Sequence, residues 1–330
     1  MDIRALKHTA AQRLENARDA KTIVMIYSGI TIGLSALVTV VNFMAGNGIS
    51  QTGGLSNIGL RSILSTLQNV LPILQSILLM MVELGYINAA LRIARGQYAS
   101  PNSMKMGIDR FFPLLRCTLM QGLVYGLVGM GSFYLAIQIF LLTPMSNAVM
   151  DILTPLVSDT TMLSSGVLQL DAETTWLLAQ AMIPLFVLFG VLCLVFCIPL
   201  MYWFRMANYV LIDKPQLGGW AVLKESRKMM RKRCFQLFKL DLSFWWYYLL
   251  VLAAGFLCYG DAFLALAGVT LPWSGDVSFF LFYALFLAVT LVIYYLFRNQ
   301  IEVTYALVYE QFKPEEKQDN SVVLGNIFQM

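Results

Sequence analysis

From Ile23 to Ala45 the chain reads IVMIYSGITIGLSALVTVVNFMA, and from Phe279 to Phe297 it reads FFLFYALFLAVTLVIYYLF, with no charged residue in either stretch. A helix needs about 20 apolar residues to cross the roughly 30 Å of bilayer hydrocarbon. In that solvent every backbone amide must find an internal partner, which leaves helix as the natural choice. Four further apolar stretches lie at about 63–91, 111–142, 176–204 and 237–267. The expected fold is therefore all-α, a polytopic bundle of six transmembrane helices within residues 23–310. Pro72, Pro184 and Pro199 fall inside these stretches and mark expected kinks. Composition agrees: 13% of residues are charged, against about a quarter in ordinary soluble chains.

Orientation follows from the cations, which stay on the cytoplasmic side in short loops. With the N-terminus inside, 22 of the 23 Lys and Arg residues fall in inner segments and Arg61 alone falls outside. The outer segments carry Asp151, Asp159, Asp171, Glu173, Asp261 and Asp276. Both termini are thus expected inside, with residues 311–330 as an inner tail. No cleavable signal is recognisable in the polar first 22 residues, and the first span is expected to act as a signal anchor. None of the five cysteines lies in an outer segment, so no disulfide framework is implied.

Two inner segments read as helices lying at the membrane surface. In the first 22 residues Ile3, Leu6, Ala10, Leu14 and Ala17 share one helical face, flanked by Arg and Lys. Before the fifth span, Lys224, Arg227, Lys228, Arg231, Lys232 and Arg233 crowd into ten residues with one Glu. Trp220, Leu223, Arg227, Met230 and Cys234 define the opposite face, so the basic residues are expected to contact anionic lipid headgroups, at about 1 kcal/mol each. No folded basic domain accompanies them, and nucleic acid is not an expected partner.

Small residues recur at Gly29 and Gly33, and at Gly122, Gly126, Gly129 and Gly131. Such faces suit close helix approach, first within the chain and second in a homo-oligomer or with another membrane protein. The outer segment from Thr143 to Thr175 is long for a connection, and NAVMDILTPL within it suits a short surface helix.

Glu83 is the one acid deep in a span, about 13 Å along the helix from Arg92 at 1.5 Å per residue. An ionisable group there is a candidate polar site, with Arg116 and Arg205 as candidate partners. Arg298 and Glu302 are spaced to pair on one helix, and Asp241 is placed to meet Lys239 or Arg233. His8, the only histidine, has no second histidine to form a dyad and reads as solvated. No phosphate-binding glycine loop, HExxH, GxSxG or paired surface carboxylates are present, so neither catalysis nor a cofactor or metal is expected.

IRALKHTAAQRLENA, VELGYINAALRIARGQ and VLKESRKMMRKRCFQLFKLDLSFWWYYLLVLAAG, followed by FYALFLAVTLVIYY, resemble a bacterial integral membrane family known as domain of unknown function nine-seven-five. Its pattern falls here on Ser226, Met230, Phe238, Leu240, Leu242, Ser243, Phe244 and Trp246, with the last spacing one residue short. The segment Thr143–Thr175 looks like an addition. The resemblance implies a six-helix protein of the bacterial cytoplasmic membrane and transfers no catalytic residue. The chain is also distantly similar to the membrane domain attached to some glycerophosphodiesterases.

The functional expectation is a non-enzymatic accessory or interaction module in transport or envelope maintenance. Its rival is a small-molecule or lipid permease whose pathway passes Glu83, Asn69, Gln75, Asn88, Gln121, Gln138 and Asn208. A third reading is an intramembrane lipid enzyme.

Overall fold

The computed structural model describes residues 2–51, 58–158, 172–260, 263–264 and 275–313. Among them are helices and turns but no strand. The helices are α1 (Ile3–Asn16), α2 (Ala20–Gln51), α3 (Ile58–Ala94), α4 (Met106–Asp109), α5 (Phe111–Leu141), α6 (Met145–Ser158) and α7 (Ala172–Phe204). They continue with α8 (Ala207–Asp213), α9 (Gly219–Met230), α10 (Cys234–Leu242), α11 (Trp245–Leu257), α12 (Gly275–Ile293) and α13 (Asn299–Phe312). A 3₁₀ turn, Pro101–Lys105, precedes α4, and a π-helical turn, Tyr294–Arg298, joins α12 to α13. Five helices are long and apolar enough to cross a membrane, or six if each bent pair counts as one span.

Four of the six expected spans fall on unbroken helices, and α3 and α7 run through their prolines. The other two differ. The expected fifth span is a broken pair, with α10 and α11 bent by 59°. Ser243 sits at the break and turns its hydroxyl onto the Leu240 carbonyl at 2.6 Å, the local competition with helix that serine favours. The helix of the sixth continues past Phe297, through the π turn and α13, to Phe312.

Packing divides the chain into two compact units, Met1–Leu115 with Met206–Met330, and Arg116–Arg205. In the first, α13 packs against α1 and α3. It buries Ile301, Val303, Tyr305, Ala306, Val308, Tyr309 and Phe312, an almost all-round burial that marks a core helix. Leu84, Tyr86, Ala89 and Leu91 of α3 and Tyr209–Ile212 of α8 are buried too. By contrast, the apolar windows of the candidate spans bury between 6% and 28% of their residues. Burial thus concentrates on segments rich in polar and basic residues, while the greasiest helices keep open faces.

Two glycines let α3 and the following turn meet backbone to backbone. A Cβ on Gly85 would fall under 3.0 Å from the Met104 carbonyl, and one on Gly107 under 3.0 Å from the Met81 carbonyl. Asn88 fastens the same contact by donating to the Ser103 carbonyl at 2.9 Å. The expected glycine contacts did not form. A Cβ on Gly29, Gly33, Gly122, Gly126, Gly129 or Gly131 would meet nothing within 4 Å, so these small residues do not serve close packing within the described chain.

In the second unit Ala136, Phe140, Val149 and Leu185 form a buried cluster, with Phe133 edge-on to Phe189 at 5.4 Å. Here α6 contains the expected helix NAVMDILTPL and packs against α7. The remainder of the long outer segment, 159–171, and the tail beyond 313 lie outside the described residues.

The N-terminal helix has the expected buried face, with Leu6 and Ala10 covered, but protein covers it. α1 lies against α13 and α3, and Lys7 donates to the Ser243 carbonyl at 2.9 Å with its ammonium 4.0 Å from the Phe244 ring centre. A helix held this way is part of the core and not a free surface float. Burial lowers the pKa of Lys7. His8 is exposed, as expected.

Candidate functional site

Where the polar base meets the apolar spans, the first unit gathers its charges into a connected set. Its first centre is Arg298, in the π turn. The guanidinium lies 3.7 Å from Glu302 Oε2, the expected local pair, and 3.9 Å from Glu83 Oε1. It also stands 5.8 Å from the ring centre of Tyr27, within cation–π range. Arg298 Nε is buried without a hydrogen-bond partner among the described residues. Tyr27 stacks on Tyr86 at 4.3 Å. Tyr86 donates to Asn299 Oδ1 at 2.8 Å, and the Asn299 amide donates to the Ala20 carbonyl at 2.7 Å. Asn299 thereby ties the start of α2 and the middle of α3 to the turn that carries Arg298.

A second centre is Asp213, at the end of α8. Arg95 Nη2 reaches both of its carboxylate oxygens at 2.8 Å and Glu310 Oε1 at 2.6 Å. Lys313 Nζ and the Tyr309 hydroxyl each donate to Asp213 Oδ2 at 3.0 Å. Burial opposes the charge on Arg95, but its hydrogen bonds to Asp213 and Glu310 and their negative charges outweigh it and raise its pKa. Charge-assisted bonds of this kind contribute about 1.5–3 kcal/mol each.

Tyr209 and Tyr309 connect the two centres. Tyr209 donates to Glu302 Oε1 at 2.7 Å, and its ring stacks on Tyr309 at 5.2 Å. Glu83, Arg298, Glu302 and Tyr209 on one side, and Tyr309, Asp213 and Arg95 on the other, form two sets of polar contacts joined by the stacked tyrosine rings into one relay across α3, the π turn, α13 and α8. Nearby, Asp241 accepts from Tyr305, whose hydroxyl is 3.1 Å from that of Tyr248.

The expected Glu83 site acquires a partner that its sequence neighbourhood did not suggest, Arg298. Arg116 and Arg205 are the end residues of the second unit. Several expected pathway residues make bonds within the chain. Asn69 donates to the Ser65 carbonyl on its own helix, Gln75 to Ser35, Asn88 to Ser103 and Gln121 to Tyr125. Asp241 meets Tyr305, a contact not foreseen. Arg95, Asp213, Tyr209, Tyr309 and Glu310 were missed because their spacing along the chain carries no local pattern.

The basic helix is present as α9, but its buried face is Val222, Leu223, Ser226, Met229 and Met230. Trp220 and Arg227, placed by sequence on the face opposite most of the basic residues, are exposed. Ser226 and Met229 supply the covered side because the true stripe is rotated by about one residue. Lys224, Lys228, Arg231 and Lys232 are exposed as expected. Arg233 is not, since it donates to the Phe312 carbonyl at 2.8 Å and lies over the Phe312 ring at 4.8 Å. It anchors the end of α13 and is not an open headgroup contact. Lys232 adopts φ 70°, an uncommon conformation for a residue with a side chain, at the turn into α10.

All five cysteines are free thiols. No group of metal-ligating side chains occurs among the described residues.

No curated protein and no solved structure matches the chain, so the likeness to the glycerophosphodiesterase membrane domain gains no support. The model of one family covers residues 1–315, which takes in all of the second unit and every residue of the relay. The chain belongs to the family described as Protein of unknown function (DUF975).

Proposed function

We propose that this chain is a non-enzymatic accessory module of the bacterial cytoplasmic membrane, whose lipid-embedded helix faces receive the helices of another membrane protein. The observation that carries this reading is the division of burial. The polar base is locked by its own ion pairs, while the span windows leave most of their residues uncovered. In lipid, apolar faces associate by packing and not by a hydrophobic drive, so open apolar faces suit a reversible partner. Exposed Leu127 and Met130 on α5 and Leu194 on α7 exemplify such faces.

Photo-crosslinkers at Met130 and Leu194, introduced in intact membranes, test the reading. Discrete protein adducts that disappear when the crosslinker is moved to buried Phe140 support it. Lipid adducts alone would remove it, and adducts only to a second copy would recast the module as a homo-oligomer.

The rival permease reading keeps one favourable observation: the Glu83 side chain remains half-exposed at its distance from Arg298. Reconstituted Glu83→Gln in liposomes separates the two readings. Solute flux that depends on Glu83 favours the permease, and flux at the level of empty liposomes in both forms favours the accessory module.

A further inference from the structure

The polar relay and the open span faces leave a half-open cavity among the described residues without a role. It holds about 620 Å³ between the α1–α2 junction and the π turn, and is lined by Leu14, Glu15, Arg18, Lys21, Tyr295, Leu296, Asn299 and Gln300, among others. That volume lies in the roughly 300–1,000 Å³ range of small-ligand sites.

We propose that this cavity is a specific binding site for one anionic glycerophospholipid, with the phosphodiester held by Arg18 and Lys21 and the glycerol and upper acyl chains against Tyr295 and Leu296. Position supports it first. The cavity sits where the apolar run of α2 begins, at Ile23, and where the apolar run through α12 and the π turn ends, at Phe297, which is the level at which a lipid passes from headgroup to chain. Its lining changes in the same sense. Arg18 and Lys21 are exposed cations, and Tyr295 and Leu296 are exposed apolar side chains at 41% and 57%.

Charge supports it second. Two cations and one acid, Glu15, leave a net positive lining, which favours an anionic headgroup. Glu15 and Gln300 are then placed to bond the hydroxyls of a glycerol headgroup. The walls are also firm. Asn299 is fixed by Tyr86 and the Ala20 carbonyl. Ala20 is buried. The π turn, a feature found frequently at functional sites, gives the cavity one side. This site is separate from the exposed lysines of α9, and it does not depend on the accessory reading.

Native mass spectrometry of the full chain in detergent, with phosphatidylglycerol and phosphatidylcholine supplied equally, tests the proposal. One phosphatidylglycerol per chain is expected, with an enrichment of about fivefold for each cation engaged. The Arg18→Gln/Lys21→Gln double variant should fall to parity, while Arg92→Gln/Lys105→Gln, matched in charge, should keep the enrichment. Unchanged enrichment in the first variant overturns the proposal. So does displacement of the lipid by glycerol 3-phosphate or inorganic phosphate at matched concentration, which would mark a site for a soluble anion. If the double variant does not fold, a photoreactive phosphatidylglycerol on the unaltered chain decides. Adducts confined to residues 14–21 and 295–300 support the site, and adducts spread evenly over the spans overturn it.

Discussion

Tyr209 donates a 2.7 Å hydrogen bond to Glu302, fixing α8 to the first turn of α13 at the point where charge is most deeply covered. Glu302 is 7% exposed and also faces Arg298 at 3.7 Å. An acid so placed depends on both partners, because a buried charge without compensation is strongly destabilising. Tyr209→Phe removes the hydroxyl and keeps the ring stack on Tyr309. It should lower unfolding free energy by about 1–3 kcal/mol, read by thermal unfolding in a fixed detergent. An unchanged midpoint would show that Glu302 is satisfied from elsewhere.

Arg95 and Asp213 should couple. Each contacts the other and a further charge, so a double-mutant cycle with Arg95→Met and Asp213→Asn measures the pair apart from its surroundings. Arg95 is 26% exposed, which weakens the pair through solvent screening, and a coupling of about 1–2 kcal/mol is expected. Strict additivity would mean that the Lys313 and Glu310 contacts compensate fully.

Gly107 and Gly33 should respond in opposite ways to alanine. At Gly107 the new methyl would collide with the Met81 backbone, which has no flexible end to move aside. Gly107→Ala should cost about 3 kcal/mol or more, the upper range of overpacking, and should lower the yield of folded protein. At Gly33 the methyl meets nothing, and the gain in helix propensity is up to about 1 kcal/mol. Comparing the unfolding midpoints of the two variants checks both directions at once.

Tyr98 should report on its contact with Asp19. The hydroxyl donates to Asp19 Oδ2 at 2.8 Å, and that hydrogen bond, followed by the negative charge of Asp19, raises its pKa. The protonated form is the favoured one in the folded chain. The associated stability is therefore complete below the ordinary phenol value near 10 and is lost as pH rises through the higher folded value. Difference absorbance titration of the unaltered chain against Tyr98→Phe should place this phenol above the ordinary value, and Asp19→Asn should bring it back. A Tyr98 titration unmoved by Asp19→Asn would show that the contact does not persist in solution.

The parts of the fold legible in the sequence were those written in consecutive residues. Ile23–Ala45 announces α2 because lipid demands an unbroken apolar run, and Arg298 with Glu302 announces a pair because four residues make one helical turn. The break at Ser243 was hidden, since Lys239 and Asp241 just before it read as the inner edge of one span and not as a bend within it. The covered face of α9 was misread by about one residue. A basic helix has few apolar positions to fix its rotation, and Trp220 suggested the wrong side. The Asp213 centre was not legible at all. Arg95, Asp213, Glu310 and Lys313 are brought together by tertiary packing across three separate segments, and no spacing rule spans such distances. The destination of α1 was missed for a related reason: an amphipathic face looks the same whether protein or lipid will cover it.

The span from Asp276 to Phe312 contains 37 residues, or about 55 Å of helix at 1.5 Å per residue. The hydrocarbon layer is only about 30 Å thick, so this helical run is longer than one crossing requires, and Glu302, Tyr309 and Glu310 sit toward its end. Helices answer changes in bilayer thickness by leaning. Glu302 and Glu310 share one helical run with the apolar residues before them, so any tilt of that run is transmitted rigidly to the contacts they make with Arg298 and Arg95.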